Sequence, residues 1–101
     1  MTVVTVSDAP QAQRFEARLG GELAGFAEYI RTPRLIAFVH TEVDPAYEGQ
    51  GVGSALTRSA LDAARAEGLE VLAACPFVSG WMARHPDYLS LSYKNRSRVT
   101  D

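Results

Sequence analysis

The chain has 101 residues, 47% of them hydrophobic and 22% charged, with a formal charge of −2. That length holds one core and no separate regulatory domain, and the balance is that of a globular chain, not a disordered or disulfide-stapled one. The small negative charge gives no pull toward nucleic acid or anionic lipid, and no apolar run approaches the roughly 20 residues of a bilayer span.

Cys75 is the lone cysteine, so no internal disulfide can form. Met1 to Pro10 lacks the basic start and long apolar run of a secretory leader, and a reduced, cytoplasmic location is expected. Basic residues gather only at Lys94, Arg96 and Arg98, in a polar end, 92–101, expected to be loosely ordered.

In chain order, the β-branched run Thr2 to Val6 predicts a short strand, and Gln13 to Leu19 alternates so that Phe15, Ala17 and Leu19 share a face. Gly20-Gly21 then closes a hairpin onto Glu22 to Ile30. After a turn at Arg31 to Pro33, Leu35 to Val39 is apolar on both faces, as in a central strand, running on to about Val43 with His40 inside it. The period then changes. Val52, Ala55, Leu56, Ser59, Ala60 and Ala63 recur at helical spacing, and Glu67-Gly68 marks the end. Glu70 to Ala74 reads as a short buried strand, and Cys75-Pro76 opens a second helix to about His85. On it Phe77, Trp81 and Met82 lie at near-helical spacing, as core residues do, while the segment from Pro86 to Asp101 carries no assignment. The order predicts an α+β fold: a mainly antiparallel sheet, one strand-helix-strand unit with parallel strands, and a C-terminal helix.

The chemistry concentrates in Glu48-Gly49-Gln50-Gly51-Val52-Gly53-Ser54, between the central strand and the main helix. Glycines allow a ligand close to the backbone, and the first helical N–H groups with the helix dipole favour a phosphate. A dinucleotide fingerprint needs a further glycine where Ser54 or Leu56 stands, and a P-loop needs a lysine that is absent.

What the segment resembles is the acyl-CoA pyrophosphate loop of the GNAT N-acetyltransferase superfamily. The small stand-alone branch of that superfamily is the nearer likeness, through His40-Thr41-Glu42-Val43, Gly49-Gln50-Gly51-Val52-Gly53, Cys75-Pro76-Phe77 and Arg84-His85-Pro86-Asp87-Tyr88 in one order. The likeness covers Phe15 to Leu91. It implies a minimal GNAT-like fold without the helices that usually follow the first strand, acetyl-CoA as donor, and no metal. It also implies a pantetheine arm beside Thr41 to Val43, where the parallel strands splay, and pyrophosphate contacts at Glu48 to Ser54. Glu48 departs from the Gln or Arg usual there, so its carboxylate is expected to face solvent while the backbone binds.

Transfer to an amine needs a base, oxyanion donors and a proton for the leaving thiolate. Cys75, just before a helix start, is a candidate acetyl carrier or proton donor, against the alternative of a small buried hydrophobe. His40 is a candidate general base through water, against that of a core histidine. Tyr88 after Pro86 suits packing better than proton donation, and His85 suits a helix end. The function implied is acetyl transfer from acetyl-CoA to an amine, of a small molecule or a protein, directly or through acetyl-Cys75. A non-catalytic CoA-binding module and an interaction domain are the other readings. Glu42, Asp44 and Glu48 hint at a cationic acceptor, and a monomer or homodimer fits a sheet with a face left bare.

Overall fold

Four strands in succession, Val4–Ala9 (β1), Arg14–Leu19 (β2), Glu22–Arg31 (β3) and Leu35–Val43 (β4), form an antiparallel meander. The computed structural model, which describes residues 3–93, adds Glu70–Ala73 (β5) parallel to β4, giving one sheet in the order β1-β2-β3-β4-β5. The β4–β5 connection carries helix α1, Val52–Ala66, and helix α2, Pro76–Arg84, follows β5. Short 3-10 turns occupy Pro10–Ala12, Pro45–Tyr47 and Pro86–Leu91. The α+β fold with its strand-helix-strand unit and C-terminal helix is as the sequence implies.

One sheet face and both helices enclose a single core. Phe15, Tyr29 and Phe38 pack ring against ring in the sheet layer, and Leu56, Leu61, Val78 and Trp81 close it from the helices. Full burial of an apolar side chain stabilises by roughly 1.5–3 kcal/mol, so this layer carries most of the folding free energy. Trp81 Nε1 donates to Ser54 Oγ at 3.0 Å, fixing α2 on the first turn of α1.

Several boundaries and faces differ from the sequence expectation. The first strand lies later than Thr2 to Val6, because Ser7, Asp8 and Ala9 pair with Glu16, Phe15 and Arg14 despite their weak strand propensity. Tyr29 Oη donates to Asp8 at 2.7 Å, which anchors that extension. β4 is not apolar-buried on both faces: Ile36 and Phe38 are buried, while Val39 and His40 are exposed on a sheet with helices on one side only. Phe77 is not core but 40% exposed, unlike Trp81 and Met82. Ser92 and Tyr93 of the expected loose end bridge to Val71 of β5, and the basic residues Lys94, Arg96 and Arg98 lie outside the described residues. No helix among the described residues is long and apolar enough to cross a membrane.

Candidate active site

The parallel strands part after four residues. β5 pairs with Leu35 to Phe38, and the Cys75 N–H donating to the Phe38 carbonyl at 2.9 Å is the last link between the two strands. Just there β4 carries a bulge, since Glu28 opposes His40 and Tyr29 opposes Phe38, leaving Val39 unmatched. The extra residue reverses the alternation beyond it. Thr41 and Val43, opposite Ala27 and Gly25, face the helices; His40 and Glu42, opposite Glu28 and Phe26, face the bare side. From residue 39 onward the β5-side edge of β4 has no strand partner among the described residues.

Cys75 sits at this opening as the residue that starts α2, 5% exposed. Its Sγ lies 3.5 Å from Thr41 Oγ1, and the backbone N–H groups of Val78, Phe77 and Thr41 face it. Burial pushes the thiol up, but the Thr41 hydroxyl and those three N–H groups outweigh it, and the net shift is below the ordinary thiol value. Cys75 is thus buried and yet its thiolate is favoured.

The glycine loop lies at the other side of the opening. Asp44 Oδ1 accepts from the Ala46 N–H at 2.9 Å and starts the Pro45–Tyr47 turn. Gly49 (φ +82°) and Gly51 (φ +80°) then take left-handed conformations that a side chain disfavours. No side chain caps α1 and no acidic residue stands in its first turn, and the first helical bond, Ala55 N–H to Gly51 carbonyl, spans Val52, Gly53 and Ser54. The positive end of the helix is therefore presented by backbone N–H groups. Val52 is buried and Ser54 accepts from Trp81, so at both positions the backbone is what faces the loop. Glu48 and Gln50 are exposed.

Gly25 is a residue the sequence reading passed over. A methyl on it would stand 2.6 Å from the Glu42 carbonyl oxygen and 3.2 Å from Val52 Cγ1, so its hydrogen is what lets α1 seat against β3. A lone glycine inside a strand run is the signal that could have found it.

His40 is not brought to Cys75. Its Nε2 lies 3.0 Å from Glu42 Oε1 on the bare face, its ring 6.0 Å from that of Phe26, and it is not a core histidine. Tyr88 is buried, donating to Asp62 Oδ1 at 2.8 Å and accepting from Arg58, which ties α1 to the Pro86–Leu91 turn. His85 stacks on Trp81 at 3.7 Å and donates from Nδ1 to the Trp81 carbonyl, closing α2. An open depression of about 470 Å³, lined by Asp8, Gln13, Tyr29 and Arg31 among others, lies at the far end of β3 from the loop. Among the described residues, no group of acidic, histidine and cysteine side chains is placed to hold a metal ion.

A strand-helix-strand unit with a glycine loop at the helix start, beside two parallel strands that part, is the arrangement expected from the likeness to GNAT acetyltransferases. The model of the GCN5-related N-acetyltransferase family matches residues 14–91, and the chain belongs to that family. It is 46% identical over 61 residues to the N-alpha-acetyltransferase RimI of Mycobacterium tuberculosis, a stretch covering 56% of this chain and 39% of that protein. The chain thus spans well under half of that relative's length. Protein NATD1 of Mus musculus is 29% identical over 86 residues, covering 82% of this chain and 77% of that one. Among solved structures, a GCN5-like protein from Staphylococcus aureus aligns with a TM-score of 0.65 at 19% identity, covering 95% and 96% of the two chains. Ard1 from Thermoplasma volcanium aligns at 0.53 and 23% identity, covering 58% of this chain and 41% of its own. The structural likenesses carry the fold, and the family match carries the membership.

Proposed function

We propose that the chain transfers an acetyl group from acetyl-CoA to an amine, with Cys75 at the reacting end of the donor. In this reading the pyrophosphate lies against the backbone of Glu48, Gly49, Gln50, Gly51, Val52, Gly53 and Ser54, and the pantetheine arm pairs with the open edge of β4 at Thr41 to Val43. What supports such a donor is that the helix start lacks a cap and two glycines hold left-handed turns, while Glu48 is exposed, so that its carboxylate has solvent to face.

The observation that carries the reading is the Cys75 thiol, held where the strands part by the Thr41 hydroxyl and three backbone N–H groups. As a carrier, its thiolate attacks the thioester carbonyl, the carbon–sulfur bond to CoA breaks, and the released thiolate takes a proton. An amine then attacks the acetyl-Cys75 carbonyl, loses its proton, and frees Cys75. The N–H groups that favour the thiolate are placed to steady charge at that position. His40, with Glu42 beside it on the bare face, is the base assigned to an acceptor arriving from that side.

Intact-protein mass spectrometry after mixing with acetyl-CoA tests the carrier. The wild type gains one acetyl group, released on adding a mixture of peptide and small-molecule amines, and Cys75→Ala gains none and turns over far more slowly. Full turnover by Cys75→Ala would leave direct attack as the route, and absence of any acetylated amine with either protein would reject the transferase reading. The burial of Cys75 favours one other reading, a CoA-binding module without turnover, in which the thiol is only packed.

A further inference from the structure

We infer that Phe77 is a positioning residue for the pantetheine arm of the donor, an apolar wall between the glycine loop and Cys75. The inference rests on the acetyl-CoA reading above. Its first support is that Phe77 is not spent on the core: its helix neighbours Val78, Trp81 and Met82 are 1–3% exposed, while Phe77 is 40% exposed. An exposed phenylalanine at the start of a helix gains little for folding.

Its ring nonetheless rests against α1. A methyl in place of a Gly53 hydrogen would lie 2.6 Å from Phe77 Cζ and 3.2 and 3.3 Å from the two Cε atoms, so the ring stands end-on against the first turn of α1. Gly49 and Gly51 are glycines because their backbones are left-handed; Gly53 lies within α1 and has no positive φ. What a side chain at 53 would meet is another group closely approached, and in this structure that group is the Phe77 ring.

The root of the side chain is fixed as well, because the Phe77 N–H is one of the groups facing Cys75 Sγ. One side chain therefore spans from the sulfur to the turn that would hold the phosphates. A donor with its thioester at Cys75 and its pyrophosphate on that turn must lay the arm between them along this ring. The arm carries apolar methylenes and a gem-dimethyl group, which an aromatic surface matches and water does not.

The test compares CoA with adenosine 3′-phosphate 5′-diphosphate, which keeps the phosphates and lacks the arm, by titration calorimetry on the full chain. Phe77→Ala is expected to weaken CoA about tenfold, a change of about 1.4 kcal/mol, and to leave the armless nucleotide unchanged, with Phe77→Leu in between. An unchanged affinity for CoA, or an equal loss for both ligands, would overturn the assignment. A wild type that binds the armless nucleotide but gains nothing from the arm would overturn it too. A wild type that binds neither would remove the donor reading itself, and this one with it. Phe77→Leu keeps an apolar side chain, so the comparison holds even if the alanine variant folds poorly.

Discussion

The three loop glycines are present for two different physical reasons, and alanine substitution separates them. At Gly51, φ is +80° and a methyl would meet nothing within 4 Å, so the cost of alanine is conformational alone. A left-handed backbone costs an L-residue roughly 1–2 kcal/mol. For a domain of this size each kcal/mol moves the unfolding midpoint by roughly 4–8 °C. Gly51→Ala, and likewise Gly49→Ala at φ +82° with equally open surroundings, should therefore lower the midpoint by at least about 4 °C. At Gly53 alanine gains roughly 1 kcal/mol of helix propensity, while the methyl drives into the Phe77 ring at 2.6 Å. That ring ends a side chain 40% exposed, free to turn outward, and moving it off its rotamer costs on the order of 0.5–1.5 kcal/mol. The two terms cancel to within about 1 kcal/mol, so Gly53→Ala should melt close to wild type. The assay is thermal unfolding with and without acetyl-CoA, which at 100 times its dissociation constant stabilises the wild type by roughly 2.7 kcal/mol. Gly53→Ala is expected to lose most of that ligand shift while keeping its apo midpoint. A Gly51→Ala midpoint equal to wild type would refute the left-handed turn as the reason for glycine there. A full acetyl-CoA shift in Gly53→Ala would refute the close approach.

Three further outcomes are expected. Thr41→Val removes the hydroxyl that favours the Cys75 thiolate; a hydrogen bond to a charged group is worth about 1.5–3 kcal/mol, so alkylation of Cys75 at neutral pH should slow about tenfold or more, and an unchanged rate would show that the backbone N–H groups suffice. Tyr29, pushed from 10.0 to about 12 by burial and by its bond to Asp8, holds its proton longer folded than unfolded. Its contribution, about 3 kcal/mol at most, is complete below pH 10 and lost as pH rises to about 12, and the alkaline fall in unfolding midpoint should be smaller in Tyr29→Phe than in wild type. Tyr88→Phe deletes the bond to Asp62 and should cost about 1 kcal/mol of stability with turnover per folded molecule unchanged; a turnover defect would return Tyr88 to the list of proton donors.

The elements were legible because their signals are local. Gly20-Gly21 both take positive φ in the hairpin turn, Cys75-Pro76 begins α2, and Val52 to Ala63 holds the helical period. The candidate loop was legible for the same reason, since left-handed glycines ahead of an apolar helical run mark a bend and an open helix start. The first strand was misplaced because its extension through Asp8 depends on a partner, Tyr29, more than 20 residues away, which no window contains. Phe77 was taken as core on spacing alone. Helical spacing puts it near Trp81 and Met82 but does not say what covers it, and in the first turn of α2 the ring rests against Gly53 and stays 40% exposed.

The bulge at Val39 explains why the facing of residues 40–43 could not be read from alternation. Strict alternation along His40-Thr41-Glu42-Val43, counted from the buried Ile36 and Phe38, would send His40 and Glu42 toward the helices and Thr41 and Val43 to the bare face. One unmatched residue inverts the whole set. The consequence is chemical as well as geometric. Because Thr41 faces inward, its hydroxyl meets the Cys75 thiol; because His40 and Glu42 face outward, their imidazole–carboxylate contact stands on the other side of the same strand. The bulge thus puts the thiol and the imidazole on opposite faces of the sheet, the arrangement on which the proposed division between donor side and acceptor side rests. The pairing of β4 with β5 ends at Phe38, two residues before His40 and next to the unmatched Val39, so the edge of β4 opens where the side chains change faces.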